Sequence, residues 1–235
     1  MDGTLLHGTT APVLLAAALG EPEALAALET RFSTGAATTV EFARALHDMW
    51  GVVGPEIAQQ AFAAAPLLAN VREVLADIRR RDERCCLITM SPDYFAEQFL
   101  DFGFDAVFAS RFPRAAEAPL DEAAILSPED KPRLAARFCA EHGLAMEDAI
   151  AYGDSMSDVF LFEEVACACR STATTTSPSG PTSRSRAATC CSRTAPRASS
   201  ATAAARPAGG RPPTLFGRTA PVSGRRTVFD LARSP

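Results

Sequence analysis

The chain has 235 residues, of which 47% are hydrophobic and 22% charged, and its formal net charge at pH 7 is −5. This composition excludes a fibrous protein and a chain that is disordered throughout, and the length is sufficient to bury a core. No apolar run approaches the roughly 18–20 residues that span a bilayer, so we expect a cytoplasmic protein without a membrane partner.

Residues 8–82 are predicted to form helices. Apolar residues recur at helical spacing in five segments, which Gly, Pro, Ser and Thr separate from one another. We expect these helices to form an insertion near the start of the chain. The five segments are 11–19, 22–32, 39–50, 54–65 and 69–81.

After residue 82, short apolar runs alternate with helical segments. The runs have the length and composition of strands in a parallel sheet that is covered on both faces. The alternation predicts an α/β fold with three layers. The predicted strands are 85–90, 104–109 and 148–152, and the predicted helices are 92–102, 131–142 and a short one ending near 164.

The last part of the sequence has a different composition. Residues 171–235 carry ten arginines and one acidic residue, Asp230, whereas residues 1–170 carry 27 acidic and 13 basic side chains. Six residue types, Ser, Thr, Ala, Arg, Pro and Gly, make up 56 of the 65 residues, which leaves too few apolar groups to offset the entropy of ordering. We predict a disordered tail over 169–235, without specific nucleic-acid binding because its arginines are scattered and lack aromatic partners.

Four short motifs contain the candidate functional residues. Polar groups at the carboxyl ends of parallel strands lie where open α/β sheets bind ligands. Two carboxylates four residues apart at such a turn can bind one cation. The motifs are Asp2-Gly3-Thr4 at the start of the chain, Ser91 after the first strand, Lys131 at a helix start, and Asp154 with Asp158 after the third strand.

Each motif also has an ordinary structural explanation. Asp-Gly is a common turn, and Ser91 stands where it would cap the next helix. Lys131, the single lysine of the chain, would be a surface charge. Asp154 and Asp158 would cap the next helix and complement its dipole.

Taken in order, the four motifs resemble those of the haloacid dehalogenase (HAD) superfamily of phosphohydrolases, and in particular its phosphoserine-phosphatase-like branch. The resemblance implies a Rossmann-like core over 1–7 and 83–168 and a helical C1-type cap over 8–82. It implies a Mg²⁺-dependent hydrolase that acts on a small organic phosphate ester through an aspartyl phosphate. A catalytically inactive relative and a phosphotransferase of the same superfamily are the alternatives.

The resemblance also implies roles for particular residues. Asp2 would protonate the leaving alkoxide, activate water and bind the metal through its backbone carbonyl. Ser91 and Thr4 would bind the phosphoryl group, and the positive charge of Lys131 would neutralise it.

The third strand's motif supplies the remaining metal ligands. Asp154 would bind Mg²⁺ directly or through water, and Asp158 would complete the metal site or orient Lys131. Mg²⁺ prefers an octahedral shell of oxygen atoms and retains several waters.

The sequence departs from the family pattern at its start, in the helical region and in the tail. The attacking aspartate of the family would stand one position before Met1, after a central strand of the sheet, so we expect both to lie upstream. Phosphoserine phosphatases place a substrate-binding Glu and Arg at positions that correspond here to Thr9 and Met49. We therefore do not expect phosphoserine itself to be the substrate.

A frameshift between about residues 160 and 170 would explain the composition of the tail. The family pattern has another short strand and a closing helix after Glu164, and two stretches of the tail can be back-translated so that a shifted frame encodes family-like segments. Sequencing the gene upstream of Met1 and across codons 160–200 checks both hypotheses. An intact frame with no nearby insertion or deletion contradicts the frameshift, and a native amino terminus at Met1 contradicts the upstream strand.

Overall fold

The structure is a computed structural model that describes residues 1–170 and 227–229. The expected disorder of residues 171–226 and 230–235 falls on positions outside the described residues. The eight α-helices of the described part are α1 Ala11–Leu19, α2 Pro22–Ser33, α3 Thr39–Trp50, α4 Pro55–Ala63, α5 Val71–Arg80, α6 Asp93–Ala96, α7 Asp130–Glu141 and α8 Val159–Glu164. The described strands are β1 Arg84–Pro92, β2 Ala106–Ser110, β3 Ala149–Gly153, β4 Cys167–Arg170 and β5 Thr227–Phe229.

The strands form one parallel sheet in the order β2-β1-β5-β3-β4. Helices lie on both of its faces, which confirms the α/β fold that the alternation of strands and helices predicts. Parallel strands bring their carboxyl ends to a common edge. Ser91 near the end of β1 and Asp154 after β3 are therefore neighbours in space although 62 positions separate them.

Two expectations about the chain after Glu164 are wrong. The sequence predicts that the disordered tail begins at residue 169, but Cys169 and Arg170 belong to β4. Thr227–Phe229, also placed in the disordered tail, forms β5 at the centre of the sheet. A strand between two parallel partners is held by backbone hydrogen bonds on both sides. The prediction of disorder considered only the number of apolar side chains and therefore left these hydrogen bonds out.

The helix predicted over 92–102 is shorter and winds more tightly than expected. Its α-helical part is only α6, and Glu97–Phe102 continues it as a 3₁₀-helix. Residues three apart lie on the same face of a 3₁₀-helix, which brings Phe99 and Phe102 together against Phe62. The 3₁₀ segment thus places both rings in one aromatic cluster with Phe62.

Two apolar clusters pack on opposite faces of the sheet. The larger one joins α1–α5 to one face and includes the fully buried Leu15, Leu46 and Leu87. The smaller one joins α7 and α8 to the other face around Phe138. Helix α5 contacts β1 directly, so it packs on the sheet as well as on the other helices. Among the described helices, none has both the length and the apolar character that a membrane crossing requires.

The buried aromatic cluster provides a test of the core. Phe99 is fully buried and contacts the rings of Phe62, Phe102 and Phe104, whereas its neighbour Leu100 is 45% exposed. Phe99→Ala leaves a cavity, so we expect it to lower the free energy of unfolding in urea by about 3–5 kcal/mol. Leu100→Ala, the matched control, should cost less than about 1 kcal/mol. Similar losses for the two variants would contradict the packing described.

Candidate active site

The candidate residues from all four motifs meet at one cavity of about 570 Å³. The cavity lies where β1 and β3 end, and helices α1, α2 and α3 line its opposite side. Thr4 is buried beside it and donates a hydrogen bond to Asp154, with 3.4 Å between Oγ1 and Oδ1. The candidates that line the cavity are Asp2, Ser91, Lys131, Asp154 and Asp158.

Asp2 links the first helix to the first strand. Its Oδ1 accepts a hydrogen bond from the backbone N–H of Ala11, the first residue of α1, at 2.6 Å. Its Oδ2 accepts one from Ser91 Oγ at 2.5 Å. Negative charge at a helix N-terminus is stabilised by the helix dipole. The carboxyl of Asp2 is therefore fixed in position and orientation from two sides.

The hydroxyl of Ser91 points to the cavity rather than to the following helix. The N-cap position of α6 is Pro92, and α6 has no side-chain capping hydrogen bond. The alternative explanation of Ser91 as a helix cap is therefore wrong. Its hydrogen bond to Asp2 connects the first and second motifs.

Gly3 allows the carboxylate of Asp154 to lie directly against the backbone of the first motif. A Cβ atom at Gly3 would stand 1.9 Å from Asp154 Oδ2, far inside van der Waals contact. Gly3 also has a φ of +67°, a conformation that glycine adopts without steric cost. The turn residue beside Asp2 thus has both a conformational and a packing requirement for glycine.

Lys131 forms a buried ion pair with Asp158. The distance from Nζ to Oδ1 is 2.6 Å, and the two side chains are only 7% and 10% exposed. Lys131 also donates to Ser157 Oγ at 2.9 Å. The alternative explanation of Lys131 as a surface charge is therefore wrong.

Asp158 has a structural role in its own loop as well as its contact with Lys131. Its Oδ2 accepts hydrogen bonds from the backbone N–H groups of Asp154 and Ser155, at 3.1 Å each. Asp158 thus closes the turn before α8 together with Ser155, but α8 itself has no side-chain capping hydrogen bond, so the expectation that Asp154 and Asp158 cap this helix is wrong. With both oxygens accepting hydrogen bonds from the protein, Asp158 is better placed to orient Lys131 than to bind a metal directly.

The pKa values of Asp154 and Asp158 are shifted in opposite directions. Burial acts to raise the pKa of Asp158, but the ammonium group of Lys131 and its hydrogen bond hold that pKa below the ordinary value. Burial raises the pKa of Asp154 although the positive charge of the Met1 amino terminus opposes the rise, and the negative charge of Asp158 adds to it. Asp154 is therefore the carboxylate that would gain most from a nearby cation.

The donor atoms fit a hard divalent cation. No cluster of three or more His, Cys, Asp or Glu side chains within 1–170 and 227–229 is arranged to hold a metal by itself. Mg²⁺ does not require one, because it is typically bound by one or two carboxylates together with waters and substrate phosphate. Asp154, lying against the backbone beside Asp2, supplies oxygen ligands of the type that Mg²⁺ prefers.

Several cavity residues were missed by reasoning from the sequence. Glu29 and Phe32 of α2 and Phe42 of α3 line the side opposite the sheet. They lie on predicted helices among other charged and apolar residues, and no motif distinguishes them. Thr9 also lines the cavity, whereas Met49 packs against the larger apolar cluster instead.

The sequence and the fold were both compared with known proteins. The sequence matches the family model of haloacid dehalogenase-like hydrolases over residues 1–163. In a search of curated proteins, nothing matched.

The fold is similar to that of solved structures of low sequence identity. A substrate-bound phosphoserine phosphatase complex aligns with a TM-score of 0.58 and 15% identity, covering 70% of this chain and 80% of that one. A HAD family hydrolase from Salmonella enterica serovar Typhi gives 0.62 and 18%, covering 70% and 57%. A phospho-aspartyl intermediate analogue of phosphoserine phosphatase gives 0.57 and 15%, covering 69% and 79%. At these identities the likeness shows a shared fold.

The ion pair can be tested through stability. Lys131→Met leaves Asp158 buried without its cation, so we expect the free energy of unfolding in urea to fall by about 3–5 kcal/mol. The matched control is Arg133→Met on the same helix, because Arg133 is 75% exposed in its ion pair with Asp130. It should cost less than about 1 kcal/mol.

A double variant separates the ion pair from general packing. Lys131→Met combined with Asp158→Asn removes the buried charge, so it should be less destabilised than the sum of the two single variants. Additive losses would contradict a coupled pair.

Proposed function

Since the chain belongs to the haloacid dehalogenase-like hydrolase family, as its match over residues 1–163 shows, we propose that it is a Mg²⁺-dependent hydrolase of small organic phosphate monoesters. The observation that carries this proposal is the meeting of Asp2, Ser91, Lys131 and Asp154 at one cavity. The reaction takes up one water, breaks the ester linkage and yields an alcohol and inorganic phosphate. The phosphoserine phosphatase folds to which the chain is similar support a phosphatase.

We further propose a division of the chain into a core and a cap. Residues 1–7 and 83–168 would form the core and 8–82 the cap, with the cavity between them. Helices α1 and α5 both contact β1, so the proposed cap would pack on the core through both of them. Strand β5 adds 227–229 to the core sheet.

The phosphoryl group would bind at the sheet side of the cavity. Ser91 Oγ already donates a hydrogen bond to a carboxylate oxygen, so it is positioned to donate to a phosphoryl oxygen instead. The buried Lys131, held by Asp158, would place a positive charge beside the phosphate. Charge-assisted contacts of this kind stabilise the negative charge of the transferring group.

The metal would bind beside Asp154 and the first motif. When bound, Mg²⁺ would lower the charge repulsion between the acidic site and the phosphate dianion. Asp154 is the principal candidate ligand, with Asp2 contributing through its backbone carbonyl. Asp158 would act mainly through Lys131, since both of its oxygens already accept hydrogen bonds.

Asp2 would move the proton of the reaction. Its carboxyl is fixed by Ala11 N–H and Ser91 Oγ and borders the cavity. A carboxyl held in this way can donate a proton to the leaving alkoxide and later accept one from water. The resemblance assigns the attack on phosphorus to an aspartate two positions before Asp2, which would precede Met1.

The proposal predicts metal-dependent turnover of a generic substrate. Hydrolysis of 4-nitrophenyl phosphate would be measured with the chain as printed and with the chain extended by the residues encoded upstream of Met1. We expect the extended form to require Mg²⁺, and Asp154→Asn to lower its kcat/KM by roughly 100-fold, as loss of a metal ligand does. Asp148→Asn, an exposed aspartate just before β3, is the matched control and should retain activity.

The outcomes distinguish the alternatives. Absence of turnover in both forms, with the fold intact by circular dichroism, would favour a catalytically inactive relative. Transfer of phosphate to an added alcohol in preference to water would favour a phosphotransferase. Turnover that Mg²⁺ removal leaves unchanged would contradict the proposed metal.

A further inference from the structure

The side of the cavity that faces away from the sheet differs in chemistry from the phosphate side. Helices α1–α3 contribute apolar side chains, neutral hydroxyl groups and one charged side chain, Glu29. We call this surface the cap-side wall. The residues of this wall that the following argument uses are Val13, Glu29, Phe32, Phe42 and Leu46.

The charges that line the cavity disfavour an anionic alcohol group. Two cationic groups border the cavity, the Lys131 side chain and the Met1 amino terminus, and both act on the carboxylates of the phosphate side. No cationic side chain of α1–α3 lines the cavity, so a carboxylate on the alcohol half of the substrate would approach Glu29 without a partner there. Removing such a group from water without a partner is costly.

The same wall favours a cationic group. Glu29 Oε1 accepts a hydrogen bond from Thr10 Oγ1 at 2.8 Å, which holds the carboxylate beside the cavity. Phe32 and Phe42 lie close by on α2 and α3, with ring centroids 4.7 Å apart and tilted by 41°. Aromatic rings attract an ammonium group over their faces, and a carboxylate nearby adds to the attraction.

The size of the cavity indicates a substrate with an apolar body. A volume of about 570 Å³ falls within the range of small-molecule sites, roughly 300–1,000 Å³. Phosphate and metal would occupy only its sheet side. Val13 and Leu46 leave space on the other side for a ring or a short carbon chain.

We infer that the cap-side wall selects phosphate monoesters of apolar alcohols that carry an amine and no carboxylate. This inference rests on the proposed phosphatase function and adds the class of alcohol. The amine would bind Glu29 and the rings of Phe32 and Phe42, and the phosphate would bind at Ser91 and Lys131.

Three esters of similar size and with phenolic leaving groups test the inference. Tyramine O-phosphate carries an amine, 4-ethylphenyl phosphate carries no charge on its side chain, and O-phosphotyrosine carries an amine and a carboxylate. We expect kcat/KM for tyramine O-phosphate to exceed that for each of the others by at least about tenfold. Differences among the three reflect recognition of the side chain because the broken bond is the same type in each.

Variants identify the residues responsible. Glu29→Gln should reduce the ratio of kcat/KM for tyramine O-phosphate over 4-ethylphenyl phosphate to about one, because the attraction to the ammonium group is lost. Glu23→Gln is the matched control, since Glu23 lies on the same helix and is exposed outside the cavity. It should leave the ratio unchanged.

The possible results are distinct for the two proposals. Hydrolysis of all three esters at similar rates, or a preference for O-phosphotyrosine, overturns this inference while the phosphatase function stands. A preference for tyramine O-phosphate that Glu29→Gln leaves intact also overturns it. If the extended form hydrolyses 4-nitrophenyl phosphate but none of the three esters, this inference alone is overturned. If it hydrolyses neither, the phosphatase function is overturned and the inference falls with it.

Discussion

Three carboxylates, those of Asp2, Asp154 and Asp158, meet the ammonium groups of Lys131 and of the Met1 amino terminus where the parallel strands end. Lys131 forms an ion pair with Asp158, and Asp2 accepts hydrogen bonds from two neutral donors. Asp154 is left with a raised pKa because burial and the charge of Asp158 both oppose its ionisation. The site therefore has an excess of negative charge, so the proposed binding of a phosphate dianion would require a cation as well. The proposed metal and substrate would then each depend on the other for binding.

The backbone around the site brings these carboxylates close together and holds them in place. Gly3 lets Asp154 approach the first motif, and the short loop after β3 turns its amide groups toward Asp158. The apolar clusters on both faces of the sheet fix the strand ends in space, so the polar groups keep their relative positions. In the proposed function, the strand ends would hold the phosphate, and the helices that cover the cavity would contact the rest of the substrate.

Much of this arrangement is visible in the sequence. The helix boundaries at Ala11–Leu19 and Thr39–Trp50 match the apolar periodicity, and the strand-loop-helix alternation predicts the sheet. The six candidate residues could be found because they lie in short motifs. Most of these motifs follow strands, and parallel strands end at the same edge of the sheet, so the motifs are expected to lie close together. Glu29, Phe32 and Phe42 could not, because their common cavity depends on how three helices pack. Strand β5 was missed for a related reason, since its pairing depends on two strands distant in the sequence.

The position of β5 has a consequence for how the protein folds during synthesis. Fifty-six residues separate β4 from β5, although β5 pairs with β1 and β3. At the usual rate of translation, roughly 5–20 residues per second, the ribosome needs about 3–11 s to add that intervening stretch. During this interval β1 and β3 each expose an unpaired backbone edge, which is a template for association with another nascent chain. The two edges become paired only when β5 has been synthesised and inserted between them.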